Sequence, residues 1–167
     1  MRKPFVLLTL ALALMSPALS ASQSAPASAF HNLKALAGEW EGKDDHGNTA
    51  KTNFKSIAGD TAVMETLTAS GMDEMLTLYS IDGDGISLLH YCPTGNQPHL
   101  RALPGEDDPK ELVFSFQGAT NLANPEIGHE HKMVLQFQDK DHITEHWTWR
   151  KAGRDSETVY KFVRRSN

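Results

Sequence analysis

Cysteine and clustered positive charge are both scarce in this sequence. Cys92 is the one cysteine in 167 residues, and no stretch is rich in lysine and arginine. A single cysteine cannot form a disulfide within the chain, so in an oxidising compartment it is buried, reactive or paired with another molecule. The formal net charge of −5 argues against nucleic acid and anionic membranes as partners.

Long hydrophobic runs are also missing, apart from FVLLTLALALM at residues 5–15. That run is shorter than the roughly 20 residues that span a bilayer. It follows Arg2 and Lys3 and precedes a stretch of small residues, an order typical of a secretory signal peptide. We expect an exported, periplasmic protein, cleaved near Ser20 or Ala29, without membrane insertion. Loss of the two basic residues would lower the net charge from −5 to −7.

Composition divides the chain into segments. Residues 1–20 form the predicted signal peptide, and residues 21–29, ASQSAPASA, are small and polar and predict a flexible leader. Residues 30–167 have a length usual for one domain. No internal repeat or linker interrupts them, so we expect one domain, and the sequence does not indicate its oligomeric state.

Helical periodicity is rare after the leader. Phe30, Leu33 and Leu36 share one helical stripe and Gly38 follows it, which predicts a short N-terminal helix. Apolar and polar residues then alternate between frequent turn signals, a pattern that favours an antiparallel barrel closed on itself. The predicted strands are residues 39–43, 50–57, 61–69, 74–81, 86–91, 100–103, 111–116, 131–138, 143–151 and 158–164.

Several short segments carry a resemblance to known proteins. LAGEWEG at residues 36–42 is similar to the Gly-x-Trp signature of lipocalin-like, or calycin-type, barrels. With DEMLTLYSIDGDG, LLHYCPTGNQP and ATNLANPEIGHEH, it resembles a group of bacterial exported lipocalin-like β-barrel proteins of unknown function. The resemblance implies an all-β fold, an antiparallel up-and-down lipocalin-like barrel of about 8–10 strands with a short N-terminal helix. It also implies that Trp40 plugs the barrel base and that Arg164 or Arg165 packs across it.

Alternation along the strands predicts which side chains point into the barrel. The inward face is apolar except for a few polar residues, which are Glu65, His90, Cys92, His129, His131 and Glu145. Buried ionisable groups are costly unless they are paired. We therefore expect a polar cluster inside the barrel that either satisfies itself or meets a ligand. Asn96, Gln97 and Arg101 are expected at or near the rim.

These residues also have plain structural interpretations. His90 suits a core position with one backbone partner, and Cys92 suits a small buried side chain. The segment GNQP, residues 95–98, suits an ordinary loop, and Trp147 and Trp149 suit either the core or a pocket wall. Cys92 as a nucleophile would need His90 to stabilise its thiolate, and no oxyanion hole or orienting acid can be named for the pair.

The first hypothesis is a barrel that binds a small, mostly apolar molecule with a polar head group. Pockets of this kind combine apolar walls with a few polar anchors. The polar end would contact His90 and Arg101, together with His129 or His131. The apolar part would lie against Phe114, Phe116, Trp147 and Trp149.

Two alternatives remain open. His129 and His131 on one strand face suit a metal, with His90, Glu65 or Glu145 as a further ligand, or an inward histidine binds haem by analogy with nitrobindin-like barrels. The cupin spacing is not met, because Leu135 lies four residues after the second histidine. The other alternative is an enzyme that uses His90 with Glu65 or Glu145 as acid and base. No cofactor is favoured, and we expect binding rather than catalysis.

Overall fold

The computed structural model describes residues 24–105, 109–124 and 126–166, so the predicted signal peptide lies outside the described residues. Within those ranges the fold is all-β, with one helix followed by ten strands that close into an antiparallel barrel. Over the same ranges, no helix has the length and apolar character needed to cross a bilayer. The elements are α1 (Ala25–Ala35), β1 (Gly38–Asp44), β2 (Thr49–Ile57), β3 (Ala62–Ala69), β4 (Met75–Asp82), β5 (Gly85–Tyr91), β6 (Gln97–Ala102), β7 (Glu111–Thr120), β8 (His129–Phe137), β9 (His142–Lys151) and β10 (Arg154–Arg164).

Each strand pairs with its neighbours in sequence, and β1 pairs with β10, so the sheet has no free edge. This confirms the predicted up-and-down barrel and all ten predicted strands. The bounds differ most in β7 and β10, which are longer than predicted. The first residues of β10 are exposed. They pair with β9 through the backbone, which requires no apolar side chain and leaves no alternation to detect.

Helix α1 begins earlier than the sequence predicts, within the segment expected to be a flexible leader. Pro26 lies in its first turn, where the missing N–H has no partner to lose. Ala29, Phe30 and Leu33 are buried, so the helix is fixed by packing on the barrel. The segment over residues 25–29 is therefore helical, because its alanines favour a helix once an apolar face is available.

Trp40 closes one end of the barrel. Its side chain is 0% exposed, and its Nε1 atom donates a hydrogen bond of 2.8 Å to the carbonyl of Leu36. The guanidinium of Arg164 lies 4.2 Å from the centre of the indole ring. Arg164 also donates to the carbonyls of Ala35 and Ala37 at 2.9 and 2.8 Å, which lack partners where α1 ends.

The arginine that covers Trp40 is thus Arg164, one of the two candidates. Arg165 instead forms ion pairs with Glu39 and Glu41 at the surface. Side chains rather than empty space fill most of the barrel above Trp40. The largest fully buried ones include Phe54, Tyr79, Phe114, Phe162 and Met133.

Candidate functional site

The end of the barrel opposite Trp40 contains a cavity of about 210 Å³, which we call the mouth cavity. It lies where the turn after β1, the turn after β3, the end of β9 and the start of β8 meet. Its apolar walls include Leu67, Met75, Trp147, Trp149 and Tyr160. Ligand pockets usually measure roughly 300–1,000 Å³, so this cavity suits only a compact molecule.

His90 lies in the wall of the mouth cavity, as the alternation of β5 predicts. Its side chain is 1% exposed, and its ring packs 4.8 Å from that of Trp147. Nδ1 lies 3.0 Å from Oγ1 of Thr77, whereas Nε2 makes no hydrogen bond within the protein. Burial lowers the pKa of His90 to about 4. The imidazole is therefore neutral at pH 7, and one of its nitrogens remains for a ligand.

Glu130 also lines the mouth cavity, although the alternation of β8 predicts an outward side chain. The register between β8 and β9 shifts between Glu130 and Lys132. Such a bulge adds one residue to the strand, so the side chains on one side of the bulge point to the opposite face of the sheet from the one that simple alternation predicts. Oε2 of Glu130 is buried without a hydrogen-bond partner, and burial raises the pKa of this carboxyl to about 7.

Gly128 is the sequence signal that could have revealed this irregularity. A Cβ atom at this position would lie 2.0 Å from Cζ2 of Trp149. Only glycine therefore lets the start of β8 approach the indole. A glycine directly before an apparent strand often marks a bulge or a close approach.

His129 and His131 line a second, separate depression of about 410 Å³, which we call the outer cleft. The pairing of β7 with β8 reaches only Ser115 and Lys132, so the two strands diverge beyond that point. The ring of Phe116 lies in the gap, 4.7 Å from the ring of His129 and 5.1 Å from that of His131. His129 is buried, at 3% exposed, as predicted, but both histidines face the outer cleft rather than the barrel interior, because the bulge reverses the alternation.

A directional chain of hydrogen bonds holds the two histidines. Arginine can only donate, so Nη1 of Arg150 donates to Nε2 of His131 over 2.5 Å. Nδ1 of His131 then donates to Nε2 of His129 over 3.3 Å, and Nδ1 of His129 donates to the carbonyl of Ile127 over 3.0 Å. Burial, together with the charge of Arg150, lowers the pKa of His131. All four ring nitrogens are therefore engaged.

This geometry does not fit the metal and haem alternatives. His90 lines the mouth cavity while His129 and His131 line the outer cleft, so the three predicted ligands do not converge. No group of three histidine, cysteine, aspartate or glutamate residues in the described part of the chain is arranged to hold a metal ion. A cavity of about 210 Å³ is also too small for a porphyrin.

Glu65 and Glu145 form the predicted polar cluster in the middle of the barrel. Thr52 and Tyr79 donate hydroxyl hydrogen bonds of 2.8 and 2.7 Å to the two oxygens of Glu65. Trp147 donates from Nε1 to Oε2 of Glu145 over 2.9 Å. Burial, and then the charge of Glu65, raises the pKa of Glu145 well above its ordinary value. Burial also raises the pKa of Glu65, against the effect of its hydrogen bonds. The pKa of Glu145 is the more strongly raised, so of the two carboxyls Glu145 is the one that more readily keeps a proton.

The proposed acid–base pair of His90 with one of these carboxyls is not formed. Nδ1 of His90 takes Thr77 as its partner and Nε2 is unpartnered. Glu65 and Glu145 are both 0% exposed and neither lines the mouth cavity. Trp147 lies between the cluster and the cavity, because its ring faces His90 while its N–H contacts Glu145.

The segment after β5 contributes less to the site than predicted. Cys92 is half-buried in a turn, where its carbonyl accepts a hydrogen bond from Gly95. Asn96 is buried rather than at the rim, and its Nδ2 donates to the carbonyl of Gly128 over 2.9 Å. Gln97 bonds to the carbonyl of Gly95. None of the predicted residues Cys92, Asn96 and Gln97 lines the mouth cavity.

Arg101 lies at the closed end, so its predicted role beside His90 is wrong. Its Nε donates to Asp82, at the end of β4, over 3.1 Å, and its Nη2 donates to Asp84, in the turn between β4 and β5, over 2.5 Å. The four residues predicted to form the apolar wall do not line a single cavity. Phe114 is in the core against Tyr79, Phe116 lines the outer cleft, and only the two tryptophans, Trp147 and Trp149, line the mouth cavity.

Comparison with known proteins supports the fold alone. No known family profile matches the sequence, and no curated protein matches it. A crystal structure of a DUF3598-family protein of unknown function from Nostoc punctiforme is similar over 80% of this chain, with a TM-score of 0.52 and 12% identity. This chain spans about half, 49%, of that protein. The class that fold and cavity define is a closed ten-stranded β-barrel with a compact cavity at one end, and the lipocalin-like family remains a prediction.

Proposed function

We propose that the protein binds a compact, mostly apolar molecule with one polar head group in the mouth cavity. One observation carries this proposal. Nε2 of His90 and Oε2 of Glu130 are buried without hydrogen-bond partners, and both residues line the same cavity. An unsatisfied buried polar group costs about 1–3 kcal/mol. A ligand that bonds to both atoms would offset that cost.

The walls of the cavity suit the apolar part of such a ligand. Trp147 is held in one orientation by its N–H bond to Glu145 and by its packing on His90. Trp149 is packed against Gly128 and forms a second rigid wall. Rigid aromatic walls lose little conformational entropy when a ligand binds.

The His90→Phe variant tests this proposal. The substitution keeps an aromatic ring beside Trp147 and removes the nitrogen available to a ligand. With benzyl alcohol as the probe, we expect saturable shifts of the Trp147 and Trp149 indole N–H signals in NMR titrations. The variant should bind about five- to tenfold more weakly, because a hydrogen bond contributes about 1 kcal/mol.

Phe116→Leu provides the matched control, because Phe116 lines the outer cleft and not the mouth cavity. Binding to this variant should equal that of the wild type. Equal affinity of His90→Phe and wild type, or shifts confined to the outer cleft, would contradict the proposed site. Native mass spectrometry of the protein from its own source would then reveal any natural ligand by its mass.

We further propose that the chain is exported and that cleavage occurs near Ser20 rather than after Ala29. The signal-peptide pattern supports export, and the position of α1 supports the earlier site. Cleavage after Ala29 would remove the first turn of α1, including the buried residues Pro26 and Ala29. Intact mass spectrometry of the exported protein should therefore give an N-terminus near Ala21. A mature N-terminus at Phe30 would refute the earlier site.

A further inference from the structure

The charge of the mouth cavity restricts its ligand further, if the proposed function holds. Among the described residues that line it, none is lysine or arginine. Asp44 lies at the entrance and accepts hydrogen bonds from Asn48 and the backbone of His46. The hydrogen bond from the Asn48 side chain is the main cause that lowers the pKa of Asp44. The entrance is thus negative, and no fixed positive charge of the lining balances it.

The two unpartnered atoms can both act as acceptors. The hydroxyl of Thr77 can accept a hydrogen bond, so Nδ1 of His90 can carry the proton and leave the lone pair of the unpartnered Nε2 as an acceptor. Oε2 of Glu130 is an acceptor whenever that carboxyl is ionised. A ligand that satisfies both atoms therefore needs at least two N–H or O–H donors on one small group.

The aromatic walls favour the same kind of ligand. Trp147, Trp149 and Tyr160 all line the cavity. The face of an aromatic ring carries negative potential, and tryptophan attracts cations most strongly. A carboxyl group beside several aromatic rings, with no competing basic side chain in the lining, is suited to a positively charged guest.

We infer that the head group is an organic ammonium ion, carried on a compact apolar body. The ammonium group would donate to Nε2 of His90 and Oε2 of Glu130 and would lie against the indole rings. A carboxylate ligand would instead meet Glu130 and Asp44 without a compensating cation. A neutral alcohol has one donor for two acceptors.

This inference rests on the proposed function and predicts a coupling between binding and protons. Glu130 attracts a cation only when it is ionised, and burial raises the pKa of Glu130 to about 7. Affinity should therefore be greatest above pH 7 and should fall about tenfold per pH unit below it. The other titratable groups facing the cavity are Asp44 and His46 near the β1–β2 turn, His90 of β5 and Tyr160 of β10.

The experiment compares benzylamine, benzyl alcohol and benzoate, which share a ring and differ in charge. Calorimetric titrations from pH 5 to 8 should show benzylamine bound at least tenfold more tightly than the other two at pH 8. Benzylamine stays protonated over this range, so a loss of affinity at low pH reports the protein. The His46→Asn variant removes the imidazole that also faces the cavity. A pH profile that persists in this variant belongs to Glu130, and a profile that disappears with His46 would overturn that assignment.

Glu130→Gln should abolish both the preference for benzylamine and the pH profile, while its unfolding midpoint reports that the variant is folded. Glu126→Gln is the matched control, because Glu126 lines the outer cleft, and it should behave as wild type. Equal, pH-independent binding of benzylamine and benzyl alcohol would overturn the inference that the head group is a cation, and it would leave the proposed binding function intact. Tighter binding of benzoate than of benzylamine would also overturn the inference of a cationic head group. Binding of none of the three probes would overturn both proposals for ligands of this size.

Discussion

Replacement of Trp40 by alanine should lower the free energy of unfolding by about 3–5 kcal/mol, the usual cost of removing a fully buried large aromatic side chain. The indole is completely buried, and three features of the closed end depend on it: its N–H bond to Leu36, the stacked Arg164 and the packing of α1. Globular domains unfold with only about 5–15 kcal/mol, so this change removes a large share. Urea denaturation followed by tryptophan fluorescence measures it.

Two arginine variants control this prediction. Arg164→Ala should lose about 2–3 kcal/mol, since it removes a cation stacked on tryptophan and hydrogen bonds to the end of α1. Arg165→Ala, one residue further, should change stability by less than about 0.5 kcal/mol, because its partners are exposed surface carboxylates. Similar losses of unfolding free energy in Arg164→Ala and Arg165→Ala would show that the packing of Arg164 on Trp40 does not stabilise the closed end of the barrel.

Replacement of Glu145 by glutamine should stabilise the protein at neutral pH, although it alters a completely buried residue. Burial raises the pKa of Glu145 well above its ordinary value, which favours the neutral, protonated carboxyl in the native state. Glutamine is neutral, has the same shape and keeps an oxygen that accepts the N–H of Trp147. In the unfolded chain Glu145 ionises with an ordinary pKa near 4.5, and that favourable ionisation is absent from the variant.

The sign of the pH dependence follows from the raised pKa. Above pH 4.5 the unfolded state has released a proton that folded Glu145 retains, so the wild type loses stability as the pH rises. The loss approaches about 1.4 kcal/mol per pH unit until the folded carboxyl itself ionises. The advantage of Glu145→Gln should therefore widen as the pH rises above 4.5, and it should level off where the folded carboxyl ionises. Denaturation curves at pH 5, 6, 7 and 8 give this difference.

Glu65→Gln is the matched control with the opposite sign. Glu65 accepts hydroxyl hydrogen bonds on both of its oxygens, and a glutamine keeps only one oxygen acceptor. We expect this variant to lose about 1–3 kcal/mol. If the same substitution at both positions changes stability equally, the proton is not held mainly by Glu145.

The periodicity of the strands was enough to predict the barrel and much of its interior. Glu65, His90 and Glu145 are 0–1% exposed, as strand alternation predicts. Alternation fails at the start of β8, where one bulge moves Glu130 into the mouth cavity and the two neighbouring histidines out of it. A bulge arises from pairing with another strand, so the residues of one strand alone do not reveal it.

The remaining errors have the same physical origin. Arg101 has both hydrogen-bonding capacity and charge, which suits a ligand site, but Asp82 and Asp84 become its neighbours only when β5 and β6 pair. Asn96 is drawn inward by the carbonyl of Gly128, which is 32 residues away. Interactions between distant parts of the chain therefore determined which polar residues reach the cavity.

The seam between β1 and β10 has a consequence for the order in which the chain folds. It joins Trp40 to Arg164 and Asp44 to Tyr160, so residues from the two ends of the domain must meet before the ring closes. Contacts between residues so distant in sequence form slowly, because a large loop must close first. Closure must also wait until β10 has been synthesised. A barrel with this seam therefore reaches its closed form late in folding.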